Sequence, residues 1–298
     1  MTEQANNTTG ITEAPPRVGN WDRFKRVFFQ RKVVLFGLII LILLVLTAIF
    51  APLLAPYDPN MINMSESLQS PSAKHLLGTD LQGRDTLSRL IYGSRTALIV
   101  GFGSVLIAGF LGVTLGLIAG YGGTIVNMII MRIMDALMGF PMILLALLIS
   151  SILGSGIVNV VIALSVATIP GYARVMHGLT LSIKEADFIL AQKSMGASVF
   201  RIMFLHILPN GFPPMIVLIT LQLGSLILAE AGLSFLGVGV KSPDVAWGYM
   251  IADGRRYLFS HPWLSLVPGV AIMLVVFAFN LVGDGLRDAL DPRLRGLL

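Results

Sequence analysis

The chain has 298 residues, of which 55% are hydrophobic and only 12% charged, and its mean hydropathy is +0.82; a soluble domain carries about twice that charged share. The formal charge of +5 is gathered in short segments between long apolar runs, which argues against a nucleic-acid partner. No cysteine is present, so disulfides, thiol catalysis and cysteine-ligated metals are excluded. This is the composition of an integral membrane protein.

The first thirty or so residues are polar, and no cleavage-site pattern follows the first apolar run. That run therefore reads as a retained span, not a signal peptide. A helix needs about 20 apolar residues to cross the hydrocarbon core. In chain order, the segments that meet this are Val33–Pro56, Thr96–Ala119, Val126–Leu153, Ile157–Ala173, Phe212–Gly237 and Trp263–Val282. Gly120–Gly123 (GYGG) ends the second, and Gly154-Ser155-Gly156 makes the turn between the third and fourth. The expected fold is all-α with six transmembrane helices. It divides into an N-terminal segment (1–32), a first span (33–56), an outer loop (57–94), a five-helix core (95–284) with a polar connector at 174–210, and a tail (285–298).

Lysine and arginine set the orientation. Arg17, Arg23, Lys25, Arg26, Arg31 and Lys32 precede the first span, which places both termini and the 174–210 connector in the cytoplasm. The opposite face receives the 57–94 loop and the Val238–Pro262 loop. These hold Lys74, Arg84, Arg89, Lys241, Arg255 and Arg256, so the bias is moderate.

The connector contains KSMGASVFRIMFLHILPN, Lys193–Asn210. Leu181–Lys193 suits a helix, with Glu185, Asp187 and Lys193 towards water. Gly196 can take the left-handed conformation that ends it. Ser198 is placed to cap a second short helix. There Phe200, Met203 and Phe204 fall at i, i+3 and i+4 on one apolar face, and Pro209 is expected to close the unit. Such a ridge either fills a groove, its own or a partner's, or lies in the lipid interface; the residues alone leave both open.

Other marked residues carry their own expectations. Asp135 follows Arg132 by three positions, which suggests a structural ion pair near the interface. Glu230 needs a partner, a wet cavity or a protonated state, and is expected to be structural or gating. Asp80, Arg84, Asp85 and Arg89 recur at helical spacing, the pattern of a solvated, self-paired face; docking of an external protein is the sharper reading. Asp284, Arg287, Asp288 and Asp291 repeat the pattern in the tail. His75, His177, His206 and His261 are scattered, without the i, i+4 pairing of a metal site. No G-x-x-x-x-G-K-[ST] phosphate loop and no catalytic cluster occurs.

The connector resembles the cytoplasmic EAA loop of ABC-importer permeases. Ala191, Gly196, Leu208 and Pro209 match its pattern, while Leu190, Gln192 and His206 depart from it; an acid, Glu185, lies five residues before Leu190. Longer stretches extend the resemblance to the C-type subunit of dipeptide and oligopeptide permeases. They are HLLGTDLQGRDTLSRLIYGSR (His75–Arg95), MRIMDALMGFP (Met131–Pro141), AEAGLSFLGVGV (Ala229–Val240) with Trp247-Gly248, and FNLVGDGLRDALDPRLR (Phe279–Arg295). The resemblance implies a type I ABC-importer permease fold in the cytoplasmic (inner) membrane of a bacterium or archaeon. It implies a second permease subunit, two cytosolic ATPases that bind ATP and Mg, and an extracytoplasmic solute-binding protein, with no cofactor in this chain. It also assigns the ATPase contact to Glu185, Ala191, Gly196, Ala197, Ser198, Val199, Phe200, Met203, Leu208 and Pro209. Di- or oligopeptides are the expected cargo, with nickel, metal chelates or glutathione as alternatives. A stand-alone ion-coupled carrier is the rival class; it would need paired ionisable groups at mid-membrane.

Overall fold

The computed structural model of the protein describes residues 20–290. Residues 1–19, with Arg17, and the tail residues Asp291, Arg293 and Arg295 lie outside the described residues. The described chain is helical, with one isolated β-bridge between Thr79 and Asp85.

A short helix α1 (Asn20–Gln30) is separated by Arg31 from the first apolar helix, α2 (Lys32–Ile49). A single turn, α3 (Ala51–Leu54), leads into an irregular loop that runs to Asp85. Helix α4 (Thr86–Tyr121) begins well ahead of Thr96, because Asp85 caps it by accepting the Ser88 N–H at 2.8 Å. It ends at the predicted glycines. Helices α5 (Thr124–Met138) and α6 (Met142–Leu153) occupy the third predicted span, but they meet at 90°. Pro141 cannot donate to the preceding turn, so Gly139-Phe140-Pro141 breaks what apolarity alone read as one rod. Helix α7 (Ile157–Ile183) continues past Ala173 through a polar stretch that hydropathy does not register. Helices α8 (Asp187–Ser194) and α9 (Val199–Arg201) form the connector. They are followed by α10 (Leu208–Phe235), the short helix α11 (Trp247–Gly254) and α12 (Trp263–Leu290). Five of these segments are long and apolar enough to cross a membrane, and the bent α5–α6 pair makes six.

The central seam pairs α4 with α7. Gly112, Gly116 and Gly120 repeat at every fourth position of α4 and let the backbones touch: a Cβ on Gly116 would stand 2.3 Å from Ala173 O. This is the small-residue packing by which helices associate in lipid. One core joins Val100, Leu164, Leu226, Ile227, Trp247 and Phe279 from α4, α7, α10, α11 and α12. A second, towards the connector, joins Leu117, Met134, Met176, Ile189, Ile202 and Met215. The outward faces remain apolar: Phe110 is 72% and Ile152 76% exposed, as expected where lipid or a partner subunit takes the place of water.

Candidate functional site: the elbow between α7 and α10

Helix α7 ends in a turn at Lys184, whose ammonium donates to Gly120 O at 3.1 Å, a cation on the unsatisfied carbonyl end of α4. Asp187 opens α8, where an acid suits the helix N-terminus. Ile189 is fully buried and pins α8 against the residues that follow the elbow.

The chain then reverses at Gly196, whose φ of +78° is left-handed as expected. Gly196 N–H donates to Lys193 O and Ala197 N–H to Gln192 O, both at 3.0 Å, which is the Schellman pattern that closes a helix. Ser198 caps α9, its Oγ accepting Arg201 N–H at 3.3 Å. Both sequence expectations at this turn hold.

Pro209 behaves otherwise. It does not end a helix: residues Ile202–Ile207 form a π turn, and helical backbone runs continuously from Val199 to Phe235. In that turn Leu208 N–H reaches back to Met203 O, five residues away. The widened coil makes room for a ring lacking an N–H, so Pro209 sits in the first turn of α10.

The π turn also changes which side chains face out. Met203, expected on the outer ridge with Phe200, is buried in the second core between Ile202 and Ile207. Phe204 is half-buried and stacks on Phe200 with ring centroids 4.5 Å apart. The exposed apolar tip is instead Met195, Val199, Phe200 and Leu205, exposed by 58–70%. Glu185, Ala191, Gly196, Ser198 and Pro209 are exposed, and Ala197 and Leu208 half-buried. Met195 and Leu205 carried no signal in the sequence, where an apolar residue beside a helix suggests burial.

Two further polar arrangements differ from expectation. Asp135 pairs with Arg174 of α7, not with Arg132, tying α5 to the helix that leads into the elbow. On the opposite face, Asp80, Arg84, Asp85 and Arg89 are not a solvated surface. Arg84, Asp85 and Arg89 are each at most 3% exposed. Arg84 Nε donates to Asp80 Oδ2 at 2.7 Å, Arg89 Nε lies 3.5 Å from the same oxygen, and Arg89 Nη1 donates to Pro59 O at 3.1 Å. Asp85 also faces His75 Nδ1 at 2.9 Å, and the other ring nitrogen faces Glu66. The contact with the Lys74 ammonium, reinforced by His75, holds the Glu66 carboxyl below the usual carboxylate range. Burial raises that of Asp253, against the pull of Arg84, whose Nη2 is 3.6 Å from it. The network fastens the loop between α3 and α4 onto α4 and α11.

Apolar spans, a glycine seam and one reversed elbow between two long helices define a helical permease subunit of the type I ABC-importer kind. The same fold occurs in the inward-facing MetNI methionine ABC transporter, at a TM-score of 0.56 and 18% identity over 67% of this chain and 96% of that one. The chain belongs to the family of binding-protein-dependent transport system inner membrane components, whose model matches residues 112–296. Residues 19–71 match the N-terminal TM domain of oligopeptide transport permease C. Among relatives, the dipeptide transport system permease protein DppC of Alkalihalophilus pseudofirmus is 46% identical over 93% of this chain and 91% of its own length. The di/tripeptide transport system permease protein DppC of Pseudomonas aeruginosa is 42% identical over 91% and 92%, and the glutathione transport system permease protein GsiD of Pectobacterium atrosepticum 42% over 92% and 92%.

Proposed function

We propose that this subunit forms, with a second permease, a path for short peptides across the cytoplasmic membrane of a bacterium. ATP and Mg belong to two cytosolic ATPases, and an external binding protein delivers the cargo. The relatives' named substrates, a dipeptide, a di/tripeptide and glutathione, all carry amide-linked residues with a free carboxylate, which supports small peptides as the common chemistry. The cluster of Lys and Arg before α2 and in residues 174–201 supports cytoplasmic termini and a cytoplasmic elbow.

The observation that carries this reading is the two-sided elbow. Ile189, Ile202 and Ile207 lock its inner side to the core, while Val199 and Phe200 hold an apolar tip away from it. A tip fixed from behind and greasy in front suits the groove of another protein. In this reading Ala191, Gly196, Ala197 and Ser198 shape the turn, and Val199 and Phe200 make the contact. Leu208 and Pro209 join the turn to α10, and Met203 acts from inside the core. Glu185 rims the site. Closure of the ATPases on ATP then shifts the equilibrium between inward- and outward-facing forms, through unequal affinity for the two.

The test uses Phe200→Cys in the assembled importer, since this chain has no native cysteine. Crosslinks to an ATPase subunit, with ATP-dependent peptide uptake retained in the uncrosslinked sample, are the expected result. Crosslinks only to lipid or to this same chain, in a complex that transports, would sink the proposal. Competition of labelled dipeptide uptake by glutathione separates the two cargo readings.

A further inference from the structure

Helix α1 precedes the first span but does not continue it. Arg31 is extended, with φ −83° and ψ 108°, so the helix axis breaks one residue before α2. The break is held by two contacts. Phe28 is buried with Val34 and Val282 and packs on Leu286 and Ala289 near the end of α12. Arg31 pairs with Asp288 of the same helix. Thus α1 lies against the last turns of α12 and does not project freely into water.

Its other side is basic and partly aromatic. Lys25, Arg26 and Lys32 are exposed, and Phe29 is 48% exposed beside them. Residues 17–32 hold six Lys or Arg against Asp22 alone. The uncharged run of α2 starts at Val33, so the hydrocarbon boundary falls at this level. The headgroup layer beyond it is about 5–8 Å thick. From Arg26 to Gln30 the helix axis advances about 6 Å, so Arg26 and, just beyond the break, Lys32 both lie within reach of that layer.

We propose that α1 is a binding site for anionic phospholipid headgroups, at the membrane face where α2 begins. Arg26 and Lys32 take the phosphate charge, and Phe29 enters the acyl boundary, as basic amphipathic helices do at charged bilayers. Charge complementarity and adjacency to the span favour a lipid over an acidic protein surface. Because α1 is fastened to α12, the lipid would hold one edge of the permease body at a set depth. The inference rests on membership of this membrane family, and not on the elbow or the cargo.

The experiment takes the full importer, with cysteine-free partners, in nanodiscs of phosphatidylcholine with or without phosphatidylglycerol. A Gln30→Cys substitution carries a fluorescent donor, and either lipid carries a headgroup acceptor. Energy transfer should favour phosphatidylglycerol severalfold. That preference should fall in Arg26→Gln and in Lys32→Gln, approach parity when the two are combined, and persist in Arg26→Lys. Both sites are exposed, and retained peptide uptake shows that the variants fold. Equal transfer to the two lipids in the native chain overturns the proposal. So does an unchanged preference in the double variant, the result expected if a protein surface covers α1. Loss of the preference in millimolar inorganic phosphate also overturns it, by assigning the bases to a free anion.

Discussion

Ser234 Oγ donates to Glu230 Oε1 at 2.7 Å, one turn apart on α10, and accepts the Val240 N–H at 2.9 Å. Glu230 is 2% exposed and Ser234 fully buried. The hydroxyl thus satisfies a carboxyl inside the helix bundle and ties down the chain as it leaves α10. Ser234→Ala removes both bonds and is expected to cost about 1–3 kcal/mol, the penalty for stranding a buried polar group. Glu230→Gln retains an acceptor and should cost less. Melting of the purified complex gives the order; equal losses would mean that Ser234 does not serve Glu230.

At Gly196 the difficulty for a side chain is the backbone, because nothing lies within 4 Å of an added Cβ. Asn tolerates the left-handed region, Ala pays about 1–2 kcal/mol there, and a β-branched residue more. Uptake should therefore fall in the order Gly, Asn, Ala, Val. The spans should remain folded and ATP hydrolysis should persist unlinked from transport. Full uptake by Gly196→Val would show that the turn has no role in coupling.

Asp80 is the carboxylate that faces two buried guanidiniums, hydrogen-bonded to Arg84 and 3.5 Å from Arg89. Asp80→Ala leaves both without it and is expected to cost about 3–5 kcal/mol, as for any buried pair broken on one side. Adding Arg89→Met should recover part of the loss by removing one stranded charge. A surface ion pair would give less than about 1 kcal/mol and no recovery.

Acid should loosen the loop between α3 and α4 through Glu66. Its carboxyl titrates below the ordinary value of 4.5 when folded, so the unfolded chain binds the proton more readily. The stabilisation is complete above pH 4.5 and is lost as pH falls through the lower folded value. Lys74→Met removes the largest cause and should move the acid transition upward. Hydrogen exchange of residues 63–83 against pH measures it, and an unmoved transition would exclude the Lys74 contact as the cause.

The spans were readable because lipid-facing and core-facing residues are both apolar, so hydropathy marks the whole rod. The same indifference hid the corner at Gly139-Phe140-Pro141, where one greasy stretch contains two helices. It also hid the helical ends at Thr86–Arg95 and Arg174–Thr180, whose polar residues extend a helix without any hydropathy signal. Local chemistry was legible at Gly196 and Ser198, since a left-handed glycine and a serine cap depend on near neighbours. Met203 was not, because the π turn shifts the register that an i, i+3 count assumes. The burial of Arg84 and Arg89 likewise depends on Pro59 and Asp253, which only the folded chain brings close.

The unbroken helix from Val199 to Phe235 has a mechanical consequence. At 1.5 Å per residue it is a beam of about 55 Å, clamped near one end by Ile202 and Ile207 and near the other by Ser234. A one-degree tilt of a beam this long displaces one end relative to the other by about one ångström. Motion imposed at the elbow is therefore passed along one continuous helix to the Ser234 end, with no joint between them.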